Sequence, residues 1–423
     1  MKVELAYGTT GLTLDLPEDR TTVIRPRHQP AHPDPLGALR EALHRPVAGP
    51  PLRSLARPQS KVAISVCDVT RAQPRKLMLR AIFEELEGVI APGNVTVLIA
   101  TGTHRSNTPA ELERMLGADI LRTCRVVNHN SRDAATLAFV GTSSTGVPVY
   151  LNREFLQSDI RITTGFVEPH FFAGFSGGPK MVAPGLAGLE TVMTLHDASR
   201  IGHPNATWGV IDGNPVHDDV REIARMVGVH FALDVTLNRE QQITAAFAGD
   251  ILEQHRAAYT HARDTAMRAV PQPFDVVLTT NSGYPLDQNL YQAVKGMSAA
   301  AKIVKSGGTI VCAAECRDGL PSHGSYGAIL TSQPTPEALL SMICSPGYSI
   351  PDQWQVQVQS QIQLKARVMV KTSGLSADDL SAAHFTPIDD VARTVRETLA
   401  HAGGEATLCV LPQGPQTIPY LVG

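Results

Sequence analysis

One lysine closes the most unusual stretch of this sequence. Lys180 ends the segment 171–180, which reads F-F-A-G-F-S-G-G-P-K. Exposed backbone N–H groups in such a loop can cradle a phosphate. A P-loop is excluded because the GxxxxGK[ST] spacing is absent: Pro179 precedes the lysine and Met181 follows it. A lysine held among phenylalanines can have a lowered pKa and act as a nucleophile or covalent tether, whereas the simpler alternative is a surface lysine on a flexible turn.

Three histidines are candidates for acid–base or metal chemistry. His104 lies beside a cation in Thr101-Gly102-Thr103-His104-Arg105, and His170 follows Glu168-Pro169. A neutral imidazole suits general base work near pH 7, although a loop histidine is often only solvent-facing. His196 follows the helix-like run 189–195, and imidazole is a common ligand for nickel, zinc, copper and iron. On its own it is interpreted as a structural histidine.

Further charged and polar side chains occur at useful spacings. In Asp68-x-x-Arg71 the guanidinium can clamp a carboxylate and the aspartate can hold it in place, or the two form a structural ion pair. Tyr291, Gln292 and Lys295 can share one face of a predicted helix, either toward a ligand or toward solvent. Trp354 is pocket wall or ordinary packing.

The elements around these residues predict a parallel sheet. Apolar strands at 61–66, 95–100 and 159–164 are each followed by one of the loops that carry Asp68, His104 and His170. Helices are predicted from about Pro74, with a capping box at Thr108-Pro109-Ala110-Glu111 for the next one. In such α/β sheets, ligands collect at the carboxyl ends of the strands. All three loops are expected there.

The length of 423 residues suits two α/β domains, each a largely parallel sheet flanked by helices, with the active site in the cleft between them. We predict an N-terminal domain over 1–268, which opens with a β-meander at 2–28. A smaller C-terminal domain covers 273–402, with Gly307-Gly308 breaking the chain before a strand at 309–313. A final strand within 405–423 is expected to pack back on the first domain.

Composition excludes several classes of protein. A net charge of −3 and the lack of any Lys/Arg-rich run argue against nucleic acid as the partner. No stretch of about 18 apolar residues exists to cross a bilayer, and the start of the chain has no signal-peptide pattern. The six cysteines are scattered, mostly in apolar contexts, and are interpreted as free thiols. The sequence therefore predicts a cytoplasmic protein that contacts neither nucleic acid nor membrane.

Taken in order, these motifs resemble those of the nickel-dependent lactate racemase family, over nearly the whole chain. The matching stretches are Asp68-x-x-Arg71, Gly102-Thr103-His104-Arg105, Glu168-Pro169-His170 through Gly177-Gly178-Pro179-Lys180, His196 and Gln292-x-x-Lys295. The family uses a nickel-pincer nucleotide, a pyridinium mononucleotide with two thio groups and a nickel–carbon bond. The resemblance therefore implies an isomerase that needs a 2-hydroxy acid as substrate and dedicated cofactor-biosynthesis enzymes as partners.

The same resemblance implies a role for each residue. Lys180 would carry the cofactor as a thioamide and His196 would complete the nickel coordination. His104 and His170 would be the two catalytic bases, one for each enantiomer, with hydride transfer giving a 2-keto acid intermediate. Further assignments are Arg71 and Lys295 as holders of the substrate oxygens, Asp68, Gly177 and Gly178 as cofactor-binding residues, and Gln292, Tyr291 and Trp354 as substrate-binding residues.

Two questions stay open at this point. Gln292 and the phenylalanines after His170 leave lactate as only one candidate among malate-like, aromatic and sugar-acid substrates. Other classes are another α/β oxidoreductase, a metal-dependent hydrolase, or a non-catalytic nucleotide-cofactor-binding protein. The missing G-x-G-x-x-G counts against a nicotinamide enzyme, and a carrier protein has no need for both His104 and His170.

Overall fold

The computed structural model describes residues 1–27, 29–321 and 324–422. The chain forms two compact units, and both of its ends belong to the same one. Of the described residues, 29–196 and 205–265 form the unit that we call the central unit. The terminal unit contains 1–27, 197–204 and the described residues from 266 onward. No helix in the described chain is long and apolar enough to cross a membrane.

The strands, in chain order, are β1 (Lys2–Leu5), β2 (Leu12–Asp15), β3 (Thr21–Val23), β4 (Val62–Cys67), β5 (Val95–Ala100), β6 (Arg125–Asn128), β7 (Leu137–Thr142), β8 (Pro148–Asn152), β9 (Ile160–Phe166), β10 (Pro169–His170), β11 (Gly174–Phe175), β12 (Phe231–Leu237), β13 (Ile243–Gly249), β14 (Met267–Val270), β15 (Phe274–Thr280), β16 (Val304–Ala313), β17 (Arg367–Lys371), β18 (Thr386–Pro387), β19 (Leu408–Leu411) and β20 (Ile418–Leu421).

The α-helices are α1 (Pro35–His44), α2 (Leu52–Leu55), α3 (Arg75–Leu86), α4 (Pro109–Leu116), α5 (Ala118–Thr123), α6 (Arg153–Leu156), α7 (Leu189–Leu195), α8 (Ala198–Ile201), α9 (Pro215–Val227), α10 (Ile251–Ala266), α11 (Leu290–Ala301), α12 (Tyr326–Leu330), α13 (Pro336–Ile343), α14 (Gln353–Lys365), α15 (Ala377–Ala382) and α16 (Val391–Ala402). Short 3-10 helices cover Pro92–Asn94, Ala134–Thr136, Gly178–Met181 and Gly414–Gln416.

The central unit is built on a six-stranded sheet with the order β13-β12-β9-β4-β5-β6, in which only β13 is antiparallel to its neighbour. Every residue of β4 is buried, as expected for a strand covered on both faces. Apolar side chains of α1 and α3 form the core on one face, and those of α7 and α9 on the other. The carboxyl ends of β4, β5 and β9 therefore lead into the loops that carry Asp68, His104 and His170.

The terminal unit holds a second six-stranded parallel sheet with the order β18-β17-β16-β15-β19-β3. One face is covered by α16 and by the β1–β2 hairpin, whose side chains Val3 and Leu5 share a core with Val395 and Leu399. The predicted fold class, two largely parallel sheets flanked by helices, is confirmed.

The predicted domain boundaries are wrong at both ends of the chain. Residues 2–28 do not form one meander in an N-terminal domain: β1 and β2 pair with each other, while β3 pairs with β19 in the terminal sheet. Residue 28 lies outside the described ranges. Within the predicted 405–423 strand, β19 pairs with β15 and β20 with β14, so this segment stays in the terminal unit. The segment stays in the terminal unit because Leu408 and Val410 are buried in the same hydrophobic core as Val3 and Leu5.

Of two local predictions, the capping box is confirmed and the chain break at the glycine pair is wrong. The capping box at α4 is confirmed, since Thr108 accepts from the Glu111 N–H while the Glu111 carboxylate accepts from the Thr108 N–H. The break at Gly307-Gly308 is wrong, because β16 runs through both glycines. The register against β15 shifts between Phe274 and Val276, so the extra residues form a bulge at which Gly307 has a positive φ of 76°.

Candidate active site

A carboxylate directly after β4 orients a histidine that follows β5. Asp68 Oδ2 accepts a hydrogen bond of 2.7 Å from His104 Nδ1, and the side chains are 4% and 48% exposed. Burial by itself raises the pKa of the Asp68 carboxyl, but bonds from His104 and Thr70 outweigh it and hold the pKa below its usual value. An ionised carboxylate only accepts, so the neutral His104 ring carries its proton on Nδ1 and its lone pair on Nε2. This is the tautomer of a base that faces outward.

Arg71 lies in the same loop, residues 67–73, which we call the Asp68 loop. Its guanidinium is exposed and donates to the hydroxyl of Thr70 at 3.1 Å, not to Asp68. The expected direct contact between Asp68 and Arg71 is therefore not formed, and the Thr70 hydroxyl links the two side chains instead. Arg71 remains available to bind an anion, and its charge reaches Lys180, whose pKa it lowers after the larger effect of burial.

The segment 168–181, which we call the Lys180 loop, is not a flexible turn. Two short strands, Pro169–His170 and Gly174–Phe175, pair as an antiparallel hairpin. Lys180 then lies in a turn of 3-10 helix at Gly178–Met181. The aromatic side chains of the loop, Phe171, Phe172 and Phe175, are buried. The alternative of a surface lysine on a mobile turn is excluded.

Phe172 brings three predicted site residues together. Its ring centroid lies 5.5 Å from Lys180 Nζ, 4.5 Å from the His170 ring and 5.2 Å from the His196 ring. The two imidazoles meet it edge-on, with interplanar angles of 78° and 88°. The lysine, one candidate base and the candidate metal ligand therefore surround a single buried phenyl ring.

The surroundings of Lys180 favour its neutral amine. Burial lowers the pKa of Lys180 to about 7, and the nearby Arg71 guanidinium adds to the effect. The residue itself is only half-buried, so the amine remains within reach of a ligand. A neutral amine is nucleophilic, whereas an ammonium is not. Lys180 is therefore chemically suited to a covalent bond near neutral pH.

His196 is buried at the end of a helix, and its ring bonds to the backbone of that helix. It caps the carboxyl end of α7, is 5% exposed, and its Nδ1 lies 2.8 Å from the Val192 carbonyl oxygen. A carbonyl only accepts, so Nδ1 is protonated and the lone pair lies on Nε2. Histidines that bind metals commonly donate their other N–H in this way. Among the described residues, no group of three or more His, Cys, Asp and Glu side chains could hold a metal ion by itself.

His170 is held in the opposite tautomer to His104. Its Nδ1 accepts from the backbone N–H of Ala173 at 3.2 Å and of Phe172 at 3.5 Å. In the neutral ring the proton therefore lies on Nε2. The Phe171 ring stacks on the imidazole at 5.1 Å and fixes its plane. In this arrangement Nε2 carries the ring proton, and it gains a lone pair only when Nδ1 takes up a proton in place of these bonds.

Packing explains the two glycines before Lys180. Both have positive φ, 72° at Gly177 and 50° at Gly178. A Cβ on Gly178 would lie 2.4 Å from His255 Cγ, and one on Gly177 would lie 2.8 Å from Val167 Cγ2. The Gly178 N–H already donates to Asp234 Oδ2 at 2.8 Å, so it does not serve a phosphate as the sequence suggested.

The other predicted site residues lie in the terminal unit and contact one another. On α11, Lys295 Nζ donates to Gln292 Oε1 at 2.7 Å, so these two side chains share a face as expected. The Trp354 indole N–H donates to the Tyr291 hydroxyl at 3.2 Å, and the Tyr291 ring packs edge-on against Tyr326 at 5.2 Å. Tyr291, Tyr326 and Trp354 therefore form an aromatic cluster in this unit.

The sequence analysis did not identify two buried histidines whose rings bond to the backbone of the Lys180 loop. The ring of His217 bonds to the Ala173 carbonyl at 3.2 Å and that of His255 to the Ser176 carbonyl at 2.8 Å. Burial lowers the pKa of His217 to about 3 and that of His255 to about 4, so both are neutral donors. These histidines lie inside helices of ordinary composition, and only their number, 15 in the chain, was a signal.

Family models of two lactate racemase domains together match most of this chain. The model of the lactate racemase N-terminal domain matches residues 7–209, and that of the lactate racemase C-terminal domain matches residues 269–418. The lactate racemase of Thermoanaerobacterium thermosaccharolyticum is 32% identical over 98% of both chains. The lactate racemase of Lactiplantibacillus plantarum is 33% identical over 89% of both.

Solved structures agree with this result. The lactate racemase apoprotein from T. thermosaccharolyticum superimposes with a TM-score of 0.92 at 31% identity, covering 99% of this chain and 100% of the other. A Thermotoga maritima protein, 21% identical with a TM-score of 0.69, shares the fold over 92% of this chain and 99% of its own. With both domains matched and relatives above 30% identity along nearly its whole length, the chain belongs to the lactate racemase family of isomerases.

Proposed function

We propose that this protein racemises or epimerises the C2 centre of a 2-hydroxy acid with a nickel-pincer nucleotide joined covalently to Lys180. The observation that carries the proposal is the half-buried Lys180, whose Nζ lies 5.5 Å from the same phenyl ring that His170 and His196 contact, and whose pKa is lowered to about 7. Such an amine suits the thioamide that family members form. His196, with its lone pair on Nε2, suits the single ligand required by a metal whose other donors come from the cofactor.

The cofactor, when bound, supplies a hydride acceptor at substrate C2, so that a 2-keto acid is the intermediate. The side chains of the protein then have defined tasks. His104, held by Asp68, takes the proton of the 2-hydroxyl on Nε2, and the adjacent carboxylate stabilises the imidazolium that forms. His170 serves the mirror-image substrate. A single base on one side would preserve configuration, so a racemase needs both.

Cationic side chains would bind the rest of the substrate. Arg71 is exposed beside the Asp68–His104 pair and suits a carboxylate through its planar fork. We assign Lys295 the other substrate oxygens, with Gln292 as its hydrogen-bond partner and Tyr291 and Trp354 as neighbouring walls. Gly177 remains a candidate for cofactor contact, and Asp68 acts through His104. A non-catalytic cofactor carrier would not need the Asp68–His104 pair.

The decisive experiment is intact mass and nickel analysis of protein produced together with the cofactor-biosynthesis enzymes. We expect an adduct on Lys180 and about one nickel per chain. Lys180→Met should lose both, whereas Lys76→Met, which changes an exposed lysine of α3, should keep both. His196→Ala should keep the adduct and lose nickel. Protein with neither adduct nor nickel, under conditions that load a known lactate racemase, would sink the proposal.

A further inference from the structure

Arg75 is a buried cation that binds the backbone of the Asp68 loop. It is the first residue of α3, is 7% exposed, and turns its side chain back over the loop. Nε donates to the Cys67 carbonyl at 2.7 Å and Nη1 to that of Gln73 at 3.1 Å. Nη2 donates to the carbonyls of Arg71, at 2.7 Å, and Asp68. One guanidinium thus binds four carbonyl oxygens within seven residues of loop.

Burying the charge of Arg75 costs free energy of folding, which argues that the residue serves more than stability. Among the described residues, no carboxylate forms an ion pair with Arg75, and its burial lowers the pKa of the guanidinium. A buried charge without an ionic partner is expensive, and an apolar side chain would often stabilise such a position equally well. What an apolar residue cannot do is bind four carbonyl groups in a fixed planar pattern.

The loop depends on this cation because its other attachments are few. Gln73 ties its two ends to the sheet: its Oε1 accepts from the Cys67 N–H at 2.7 Å and its Nε2 donates to Thr164 Oγ1 at 2.8 Å. Between these ends, the backbone bond from Arg71 N–H to the Asp68 carbonyl is long, at 3.3 Å. The carbonyls of both residues point to Arg75, which leaves their side chains directed elsewhere.

We propose that Arg75 is a positioning residue: it holds the Asp68 carboxylate against His104 Nδ1 and sets the place of Arg71 through the loop backbone. The catalytic consequence rests on the function proposed above, whereas the effect on the Asp68–His104 bond does not. The inference can therefore be tested on protein without cofactor, and the structure of a related lactate racemase has been solved as the apoprotein.

The variants are Arg75→Met and Arg75→Lys, and the matched control is Arg161→Met. Arg161 also donates to backbone carbonyls, those of Leu156, Ser158 and Gly228 at 2.9–3.1 Å, but it lies at the start of β9. Both substitutions to methionine remove a guanidinium from a set of carbonyls in the central unit. Only one of them removes it from the Asp68 loop.

The first measurement is the ¹⁵N NMR spectrum of the His104 ring in the cofactor-free protein, assigned with His104→Asn. Wild type and Arg161→Met should show one tautomer, protonated on Nδ1. Arg75→Met should show a mixture of tautomers. Arg75→Lys should show the same, because one ammonium cannot bind four carbonyls. In loaded enzyme, kcat/KM should fall about 100-fold for Arg75→Met, as expected for a small displacement of reacting groups.

Either of two results overturns the inference. One is a wild-type His104 spectrum in Arg75→Met, or in Arg75→Lys if the methionine variant does not fold. The other is an equal change in Arg161→Met. A loss of thermal stability alone, matched by the control, likewise assigns Arg75 a structural role. Failure of the proposed function leaves the spectra unchanged, since they need neither substrate nor nickel.

Discussion

The Asp68 loop and the Lys180 loop are held by opposite means. The first is tied by charged and polar groups: Arg75 binds its carbonyls, and Asp68 binds His104. The second is held by close apolar packing around Phe172 and by the neutral rings of His217 and His255. Each environment suits the group that it carries. A carboxylate stabilises a protonated histidine, whereas an amine stays neutral where no anion faces it.

The difference extends to the two candidate bases. His104 is oriented by a side-chain carboxylate and keeps its lone pair on Nε2, while His170 is oriented by backbone N–H groups and carries its proton there. The first ring is ready to accept a proton, and the second is ready to donate a hydrogen bond. We infer that the two rings are not interchangeable even though a racemase uses both.

The largest expected effect comes from removing His104. His104→Gln should lower the rate of racemisation about 10²–10⁴-fold in both directions, because each direction needs both bases. Intact mass should still show the Lys180 adduct. The control is His44→Gln, which changes another exposed histidine bonded to a buried carboxylate, Glu85, at 2.6 Å. Racemisation that survives in His104→Gln would remove the distinction between the two loops.

The sequence predicted where the strands and loops lie, but not which side chains bind one another. Strand positions, and hence the clustering of Asp68, His104 and His170 at one sheet edge, followed from apolar runs and turn residues. The partners did not: nothing in Asp68-x-x-Arg71 says that the carboxylate binds His104, or that Arg75 turns back to the loop. These are contacts between segments 30 or more residues apart, or rotamer choices, which local pattern does not encode.

Packing misled the sequence interpretation twice. Gly178 looked like part of a phosphate cradle, but its N–H donates to Asp234 and the neighbouring His255 leaves no room for a Cβ. The first strands were grouped with the residues that follow them, although Val3 and Leu5 complete a core with the far end of the chain. By contrast, the sequence did not mislead in α14, where glutamine alternates with other residues from Gln353 to Gln363 in a pattern of period two and the segment is a helix as expected. Its buried amides bond to other segments, for example Gln355 Nε2 to the Tyr291 carbonyl at 2.6 Å.

Close packing of the Lys180 loop predicts a large loss of stability for Gly178→Ala. The new Cβ would adopt a strained φ, which costs about 1–2 kcal/mol, and overlap His255, which costs about 1–3 kcal/mol more. The matched control is Gly88→Ala, where φ is 74° but no atom lies within 4 Å of the new Cβ. Urea denaturation should therefore show the strain alone in the control. Equal losses in both variants would mean that the loop yields to the methyl group.

The lowered pKa of Lys180 predicts that the lysine destabilises the empty protein. Its pKa falls from its usual 10.5 to about 7, so the unfolded chain binds more protons than the folded one between these values. The penalty is complete below about pH 7 and disappears as pH approaches 10.5. Lys180→Met should therefore gain on the order of 2 kcal/mol at about pH 6.5, and much less at about pH 9.5. Urea denaturation at both pH values, with Lys76→Met as control, measures the difference. A gain independent of pH would point to packing instead of charge.

The smallest effect tests the polar attachment of the Asp68 loop with two neighbouring threonines. Thr164 Oγ1 accepts from Gln73 Nε2 and donates to the Ser65 carbonyl at 2.9 Å, whereas the buried hydroxyl of Thr163 has no hydrogen-bond partner. Thr164→Val keeps the side-chain shape but leaves the buried Gln73 amide without this acceptor. It should therefore lower the free energy of unfolding by about 1–2 kcal/mol. Thr163→Val removes only an unsatisfied hydroxyl and should be neutral or stabilising. Because the substitutions are chemically identical and adjacent in β9, their difference in urea denaturation isolates the Gln73 bond. If Thr164→Val matches Thr163→Val, the bond from Gln73 to Thr164 does not anchor the loop.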